Sequence, residues 1–176
     1  EVVVGSLRVR PSGPLEGRVR VGGAKNSVLK LMAATVLAPG SSTILNVPAI
    51  SDVERLADVL RAIGLEVELG EGRLTVDASA DPVPEAPYEL VERMRASTAL
   101  LGPMLARCGE AHVAMPGGDD FGSRPIDLHL TALEALGASF ELVHGTIHGR
   151  AEQLVGAHVV LEYPSVGATE NVLLAA

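Results

Sequence analysis

The residues Ala-Ile-Gly-Leu-Glu-Val-Glu-Leu at 62–69 and Ala-Leu-Gly-Ala-Ser-Phe-Glu-Leu at 135–142 decide the fold, because together they mark an internal repeat. Each stretch follows an amphipathic helical pattern, at 52–63 and at about 126–136. The matching segments therefore occupy equivalent positions in two copies of one repeated unit.

The segments upstream of these helices also match each other. Residues 25–38 and 95–108 both predict Ala- and Leu-rich helices. Each helix is ended by a glycine and followed by a short strand: Gly40 and 42–46 in the first unit, Gly109 and 111–115 in the second. The repeated unit is therefore helix, strand, helix, strand, strand.

A third copy begins at Ser165-Val-Gly-Ala-Thr-Glu-Asn-Val-Leu, which echoes Gly23-Ala-Lys-Asn-Ser-Val-Leu. A unit of this kind buries one face only against its siblings, so at least three units are needed to close a core. Helices such as 25–38 are apolar nearly all round and should form the centre, with sheets outside them. We expect an α/β (α+β) fold that is incomplete here, with the Pro-rich stretch 82–87 connecting the two units.

Composition excludes several classes of partner. The 176 residues include no Trp, two Phe and two Tyr, and the net charge is −8. Few aromatic rings argue against the stacking of nucleic-acid bases, and an acidic chain repels polyanions. A small anionic substrate must then be held by a local cluster of cationic side chains.

Cys108 is the single cysteine, so no internal disulfide forms, and no Cys/His cluster has zinc spacing. His144 and His148 surround Gly145, Thr146 and Ile147, a pattern typical of a strand turn rather than a metal pair. No apolar run is long enough to span a membrane and no signal peptide is visible, so we expect a cytoplasmic location. The sequence starts without Met and stops in a helical pattern, so both ends are expected to be cut.

Residues 116–129, Pro-Gly-Gly-Asp-Asp-Phe-Gly-Ser-Arg-Pro-Ile-Asp-Leu-His, form the most unusual segment. Glycine lets backbone amides approach a ligand, and Arg124 offers a planar fork that suits phosphate or carboxylate. Turns are also rich in Gly, Pro and Asp, so local composition allows either a binding loop or a turn between a strand and a helix.

The helix starts of the three units carry different polar residues. Lys25 and Asn26 stand where free backbone amides and the helix dipole already favour an anion, although an exposed solvated lysine is the alternative. Arg95 opens the second unit as a candidate ligand, or as a surface arginine paired with Glu92. Ser165 is either a phosphate or sugar contact or a plain helix cap.

These residues carry a resemblance. In this order, Gly23-Ala-Lys-Asn, Met94-Arg-Ala-Ser, the loop 116–129 and Ser165-Val-Gly-Ala-Thr-Glu-Asn resemble motifs of the UDP-N-acetylglucosamine 1-carboxyvinyltransferase family of enolpyruvyl transferases. The resemblance spans nearly the whole chain, although chains of that family are much longer and have a second domain.

The resemblance implies an inside-out α/β barrel of the enolpyruvyl transferase type, with the active site between two domains. Residues 1–22 are then N-terminal strands that pack with the second domain, and 23–176 are the first domain, with two repeats and the start of a third. Phosphoenolpyruvate would give its enolpyruvyl group to the 3-hydroxyl of UDP-N-acetylglucosamine and release phosphate. No metal or organic cofactor, nucleic acid or membrane is implied.

The same resemblance assigns residue roles. Catalytic roles fall to Asp119, Lys25 and Arg124. Substrate-binding positions are Lys25, Asn26, Arg95, Arg124, Pro125, Ile126, Asp127, Leu128, Ser165, Val166 and Gly167. Asp52 matches an acidic position near the cleft, but a helix N-terminal Asp has a sufficient structural reason to exist.

Two departures from the family pattern matter. Much of the family has a cysteine where Asp119 stands, and that thiol is alkylated by fosfomycin; we therefore expect Asp119 to be the acid and the protein to resist the antibiotic. A carboxyl has a reference pKa of about 3.9 against about 8.5 for a thiol, so burial or a like charge, such as Asp120, must raise it. Tyr163 stands where many members have a lysine.

Three other interpretations stay open. The 3-phosphoshikimate 1-carboxyvinyltransferases share the fold, but their helix start resembles Gly-Ser-Lys-Ser and they lack the loop at 116–129. Nucleoside enolpyruvyl transferases are a second alternative, and a non-catalytic UDP-sugar-binding module is a third. The chain alone is expected to be inactive, because it would supply only one wall of the cleft.

Overall fold

The computed structural model describes residues 8, 10–91, 95–115 and 126–176. The first unit consists of α1 Lys25–Ala34, β1 Ser41–Leu45, α2 Ser51–Ala62, β2 Glu66–Gly70 and β3 Arg73–Asp77. The second consists of α3 Tyr88–Val91, a 3₁₀ helix Arg95–Leu100, α4 Leu101–Cys108, β4 Glu110–Ala114, α5 Asp127–Glu134, β5 Ser139–Val143 and β6 Thr146–Arg150. Helix α6, Val166–Ala175, opens the third copy.

Both units build the same sheet. The strand orders are β1-β3-β2 and β4-β6-β5, and both sheets are antiparallel with the hairpin's second strand in the centre. Ser41 pairs with Asp77 in the first sheet, and Glu110 pairs with Arg150 at the equivalent place in the second. The predicted repeat and the α/β (α+β) class are confirmed, and within the described residues the sheets form no closed barrel.

Helices occupy the interior and the sheets lie outside them. Leu56, Leu101, Met104 and Leu133 are completely buried, and α4 and α5 both pack on α6. The sheets expose one face: in β2 only Val67 is buried. Helix α1 is less enclosed than expected, since Leu31 is 50% exposed.

Two helices differ from their predicted bounds for local reasons. The predicted helix 25–38 is α-helical only to Ala34, and the chain then tightens into 3₁₀-type bonds, as from the Leu37 amide to the Ala34 carbonyl. The predicted helix 95–108 is 3₁₀ before Leu101. Proline lacks an amide hydrogen and clashes with the preceding turn, so starting the α-helix at Leu101 places Pro103 in its first turn.

The turns follow the glycines. His144 and Gly145 both have positive φ, 49° and 81°, which is typical of a two-residue hairpin loop. The interpretation of His144 to His148 as a strand turn is therefore confirmed. The connector 82–87 bonds to both units: the Val83 amide donates to the Ile63 carbonyl, and the His112 amide donates to the Pro84 carbonyl.

The expected N-terminal strands are not formed in the described part of 1–22. Residue 8 and residues 10–22 contain no strand there, and Leu15, Val19 and Val21 are 89%, 91% and 86% exposed. A strand needs a neighbouring edge to satisfy its amides and carbonyls, and no described strand pairs with this segment. The division into 1–22 and 23–176 stays a prediction.

Candidate functional site

The start of α1 lacks a side-chain cap and carries a lysine. Ala24 occupies the N-cap position and makes no side-chain cap, so no side chain satisfies the first-turn amides. Gly23 allows this end to lie against the loop after β1, because a Cβ there would sit 1.8 Å from the Asn46 carbonyl oxygen. Asn26 is exposed beside Lys25.

Lys25 has a partner that the sequence did not reveal. Its Nζ lies 2.5 Å from a carboxylate oxygen of Asp52, in the first turn of α2. The Lys25 side chain remains 58% exposed, and that of Asp52 is 25% exposed. A ligand can therefore reach the ammonium group, but it must compete with a carboxylate already in place.

Several predicted site residues of the second unit cannot be placed in the described part of the structure. Arg95 is the first residue of the 3₁₀ helix, and its side chain lies outside what the structure describes. Asp119, Arg124 and Pro125 also lie outside the described residues. Their predicted roles stay predictions.

The start of α5 borders a cavity. Ile126 is the N-cap residue, and the Asp127 carboxylate accepts a hydrogen bond of 2.8 Å from the Leu128 amide. Asp127 and Leu128 line a cavity of about 350 Å³ that faces the segment 158–162. Its walls mix apolar and acidic groups, so it suits a ring with polar edges better than a bare anion.

The start of α6 is capped by its own serine. Ser165 Oγ accepts a hydrogen bond of 3.2 Å from the Ala168 amide, and Thr169 Oγ1 donates to the Ser165 carbonyl at 2.8 Å. The capping alternative for Ser165 is therefore confirmed. A hydroxyl that accepts one bond can still donate its own proton, so the cap does not exclude a contact with a ligand. Val166 is 76% exposed beside it.

Two contacts join α6 to α1 and to α5. Lys30 of α1 and Glu170 of α6 form an ion pair of 2.9 Å. At 1.5 Å per residue, each of these helices starts within about 8 Å of the pair along its own axis. His129 of α5 lies against Gly167 of α6, where an added Cβ would be 3.1 Å from the ring. We call Lys25, Asn26, Ile126, Asp127, Leu128, Ser165, Val166 and Gly167 the helix-start surface.

His129 and Asn171 are the main residues that the sequence prediction missed. Asn171 is 1% exposed and joins α6 to three other elements through its amide group. Burial and the nearby Lys30 ammonium lower the pKa of His129, against weaker opposing effects of Asp127 and Glu170. Both residues belong to the quoted motifs, so a polar residue in an otherwise apolar helical pattern was the available signal.

Cys108, the single cysteine, is a partly buried free thiol. It ends α4, away from that helix's start, and its Sγ lies 3.6 Å from the Pro82 carbonyl oxygen. Burial raises the pKa of this thiol more than the neighbouring Arg107 lowers it. Cys108 is therefore held as an unreactive thiol.

The described residues contain neither a group of three or more potential ligands suited to a metal ion nor a helix long and apolar enough to cross a membrane. Residues 9–176 match the family model of EPSP synthase (3-phosphoshikimate 1-carboxyvinyltransferase). The chain belongs to the EPSP synthase family.

Curated relatives of this chain include two that share one name. A UDP-N-acetylglucosamine 1-carboxyvinyltransferase of Mycobacterium tuberculosis is 54% identical over 92% of the chain, and one of Corynebacterium jeikeium is 49% identical over 99%. The chain spans 39% and 40% of the lengths of these two relatives.

Solved structures of the EPSP synthase family share the fold. The enolpyruvyl transferase NikO from Streptomyces tendae is 27% identical, covers 92% of this chain and superposes with a TM-score of 0.76; the chain spans 38% of NikO. An EPSP synthase from Acinetobacter baumannii matches 90% of the chain with a TM-score of 0.69 at 20% identity, which supports the fold alone; the chain spans 37% of it.

Proposed function

We propose that this chain forms one wall of an active site that transfers the enolpyruvyl group of phosphoenolpyruvate to the 3-hydroxyl of UDP-N-acetylglucosamine and releases phosphate. This reaction begins the committed synthesis of peptidoglycan, so the proposal includes a cytoplasmic location and a role in cell shape and division. Residues 1–22 would pack with a second domain and 23–176 would form the wall.

One observation carries this proposal: Lys25 stands at an uncapped helix start beside Asp52 in the first turn of α2, and an ion pair from Lys30 joins the same helix to α6. The first-turn amides of α1 and the Lys25 ammonium can together hold an anion through charge-assisted hydrogen bonds. Arg95 and Arg124 would add to this cluster, and Asn26 would contact the substrate. Phosphoenolpyruvate, which carries several negative charges on few atoms, fits such a cluster.

The nucleotide-sugar would lie along α5 and α6. Asp127 and Leu128 border the 350 Å³ cavity, which is large enough for part of a nucleoside, and Ile126 precedes them at the helix cap. Ser165, Val166 and Gly167 offer a hydroxyl and backbone groups to the diphosphate, and Pro125 would complete the wall.

In the proposed chemistry, Asp119 donates a proton to C3 of phosphoenolpyruvate. The sugar 3-hydroxyl then attacks C2, losing its own proton, and a tetrahedral intermediate forms. The Asp119 carboxylate then takes a proton back from C3 while the bond from C2 to the phosphate oxygen breaks. The enol ether and the acid are regenerated, and phosphate leaves with the proton that the hydroxyl lost. Lys25 and Arg124 would stabilise the charge on the leaving phosphate.

The identity values favour this acceptor over the alternatives. Relatives named for UDP-N-acetylglucosamine are 47–54% identical to the chain, whereas NikO is 27% and the EPSP synthase structure 20% identical. The Gly-Ala-Lys-Asn start at residues 23–26 agrees with this choice.

A graft tests the proposal. The chain replaces the matching 39% of the Mycobacterium tuberculosis relative, and phosphate release is measured with both substrates. We expect substrate-dependent release from the graft and none from the 176-residue chain alone. Release by the chain alone would contradict the need for a second wall. A folded graft that binds the UDP-sugar but turns nothing over would favour the binding-module alternative.

The proposed role of Asp119 as the acid leads to a separate prediction. Replacing Asp119 with Asn in the graft should reduce turnover by about 100-fold or more, because an amide cannot donate the proton that a carboxylic acid supplies. Fosfomycin should add no mass to the intact protein. Undiminished turnover of Asp119→Asn would contradict the role of the acid, and a covalent fosfomycin adduct would contradict resistance.

A further inference from the structure

Asn171 is a buried connection among four elements. Its Oδ1 accepts a hydrogen bond of 2.8 Å from the Gly102 amide of α4, and its Nδ2 donates to the Thr98 carbonyl of the 3₁₀ helix at 2.9 Å. The Gly102 amide can only donate and the Thr98 carbonyl can only accept, so these partners fix the orientation of the amide group. The second Nδ2 hydrogen points at His129.

This orientation determines the protonation state of His129. Asn171 Nδ2 lies 3.2 Å from His129 Nδ1, and an amide nitrogen cannot accept a hydrogen bond. His129 Nδ1 must therefore be the acceptor, and the ring proton must be on Nε2. A proton on Nδ1 would place two donors against each other.

The opposite edge of the His129 ring touches the helix-start surface. A Cβ added to Gly167 would lie 3.1 Å from Cε1 and 3.2 Å from Nε2 of His129. The ring thus packs directly on the second residue of α6, two residues after the Ser165 cap. A movement of the ring must displace this first turn.

Charged groups reach His129 from three helices: Lys30 on α1, Asp127 on α5 and Glu170 on α6. From the 3₁₀ helix and α4 the polar neighbours of the cluster are the Thr98 carbonyl and the Gly102 amide. The lowered pKa of His129 agrees with the acceptor role that the hydrogen bonds require.

We propose that His129 is a positioning residue whose neutral ring locks the first turn of α6 against α5, and that protonation of the ring breaks this lock and weakens the binding of UDP-N-acetylglucosamine. The second half rests on the proposed function, because it assumes that Ser165 to Gly167 contact the nucleotide-sugar. The first half concerns only this chain's own residues.

Two substitutions separate the hydrogen bond from the charge. His129→Asn keeps an acceptor near the position of Nδ1 but does not titrate, and His129→Leu removes the acceptor. His144→Asn, in the exposed turn between β5 and β6, is the matched control, since Asn tolerates the positive φ of 49° there.

The binding readout is the Kd of the chain for UDP-N-acetylglucosamine at pH 7.5 and pH 5.5. We expect wild type and His144→Asn to bind more weakly at the lower pH, and the full loss to reach about tenfold once the ring is completely protonated, the size of one lost hydrogen bond. The affinity of His129→Asn should not change with pH, and at both pH values it should equal the affinity of wild type at pH 7.5. His129→Leu should be about tenfold weaker at both.

The second readout needs no ligand. Nitrogen-15 shifts of the imidazole should show a protonated Nε2 and a bare Nδ1 at pH 7.5. The Gly167 amide and the Asn171 side-chain amide should titrate with the same midpoint as His129, below the ordinary value of 6.5. A proton on Nδ1 at pH 7.5, or signals of Gly167 and Asn171 that ignore the titration, would overturn the lock.

The two readouts distinguish the two proposals. If the signals titrate together but the chain binds no UDP-N-acetylglucosamine, the proposed function is wrong and the lock stands. If the nucleotide-sugar binds but His129→Leu shares the affinity and pH profile of wild type, the role of His129 in binding is wrong and the proposed function stands.

Discussion

The presence of Lys25 at a helix start is explained by its neighbour in the fold rather than by local sequence. A lysine at a helix N-terminus opposes the positive end of the dipole, so intrinsic helix preferences do not explain it. The carboxylate of Asp52 offsets this cost in the structure. The lysine side of the ion pair is 58% exposed, so the pair contributes modestly to stability and remains open to exchange with a ligand anion.

The first prediction concerns this exchange. In the graft, Lys25→Met should lower kcat/KM for phosphoenolpyruvate by about 10- to 100-fold, because one charge-assisted hydrogen bond to the anion is lost. Arg55→Met removes a charge from an exposed site on α2 and is the matched control. Steady-state kinetics with unchanged melting temperatures for both variants would check the expectation. Equal kinetics for both variants would contradict a role for Lys25 in anion binding.

The position of Lys25 at a helix start was predictable from the sequence, but its ion-pair partner was not. The motif placed Lys25 at a helix start, and the structure agrees. Its contact with Asp52 depends on how α1 and α2 pack, which no local pattern encodes. His129 and Asn171 were missed for the same reason, since hydrogen bonds between distant segments appear only after folding.

Among the helices, Gly102 shows why α4 and α6 can pack so closely. A Cβ on this residue would lie 2.4 Å from the Asn171 carbonyl oxygen and 2.7 Å from its Oδ1. The absence of a side chain lets α4 and α6 approach until the Gly102 amide bonds to Asn171. The glycine is therefore a packing requirement within a helix that would otherwise favour alanine.

The second prediction follows from that contact. Gly102→Ala should lower the free energy of unfolding by about 1–3 kcal/mol, because the overlap with the Asn171 backbone outweighs the gain in helix propensity. Gly156→Ala, which has no heavy atom within 4 Å of the added Cβ, is the control and should change stability by about 0.5 kcal/mol or less. Urea unfolding measures both. A stabilised Gly102→Ala protein would contradict the close packing of α4 on α6.

Element types were predictable because their signals are local. The hairpin turns follow glycines at positive φ, and the strands alternate around them. The 3₁₀ start before α4 was not predicted, although Pro103 was visible, because propensity does not say whether a proline ends a helix or opens one. Leu100 and Leu101, at the junction of the 3₁₀ and α-helical segments, are both completely buried.

At the scale of the whole molecule, Arg107 ties the two units together. This residue is near the end of α4, and its guanidinium donates to the carbonyls of Val36, Ala78 and Ala80, at 2.9, 2.7 and 3.0 Å. Its side chain is only 8% exposed. These bonds join the segments just after α1 and β3 of the first unit to a helix of the second unit. They therefore help to hold the two units together.

The third prediction tests this tie. Arg107→Met should cost about 2–3 kcal/mol of unfolding free energy, because three carbonyl groups lose a charged donor. Arg61→Met is the control: Arg61 bonds only within the first unit and is 41% exposed, so about 0.5–1 kcal/mol is expected. If chemical denaturation shows equal losses of unfolding free energy for Arg107→Met and Arg61→Met, a specific role of Arg107 between the units is contradicted.

We propose that the starts of α1, α5 and α6 form one ligand-binding surface, and chemical-shift mapping of the 176-residue chain with UDP-N-acetylglucosamine would locate it. We predict that amide shifts concentrate at Lys25, Asn26, Ile126–Leu128 and Ser165–Gly167. The control is the cavity of about 460 Å³ beside Arg107 and Cys108, which should show no shifts. Shifts centred on that cavity, or none at the helix starts at saturating ligand, would contradict the claim.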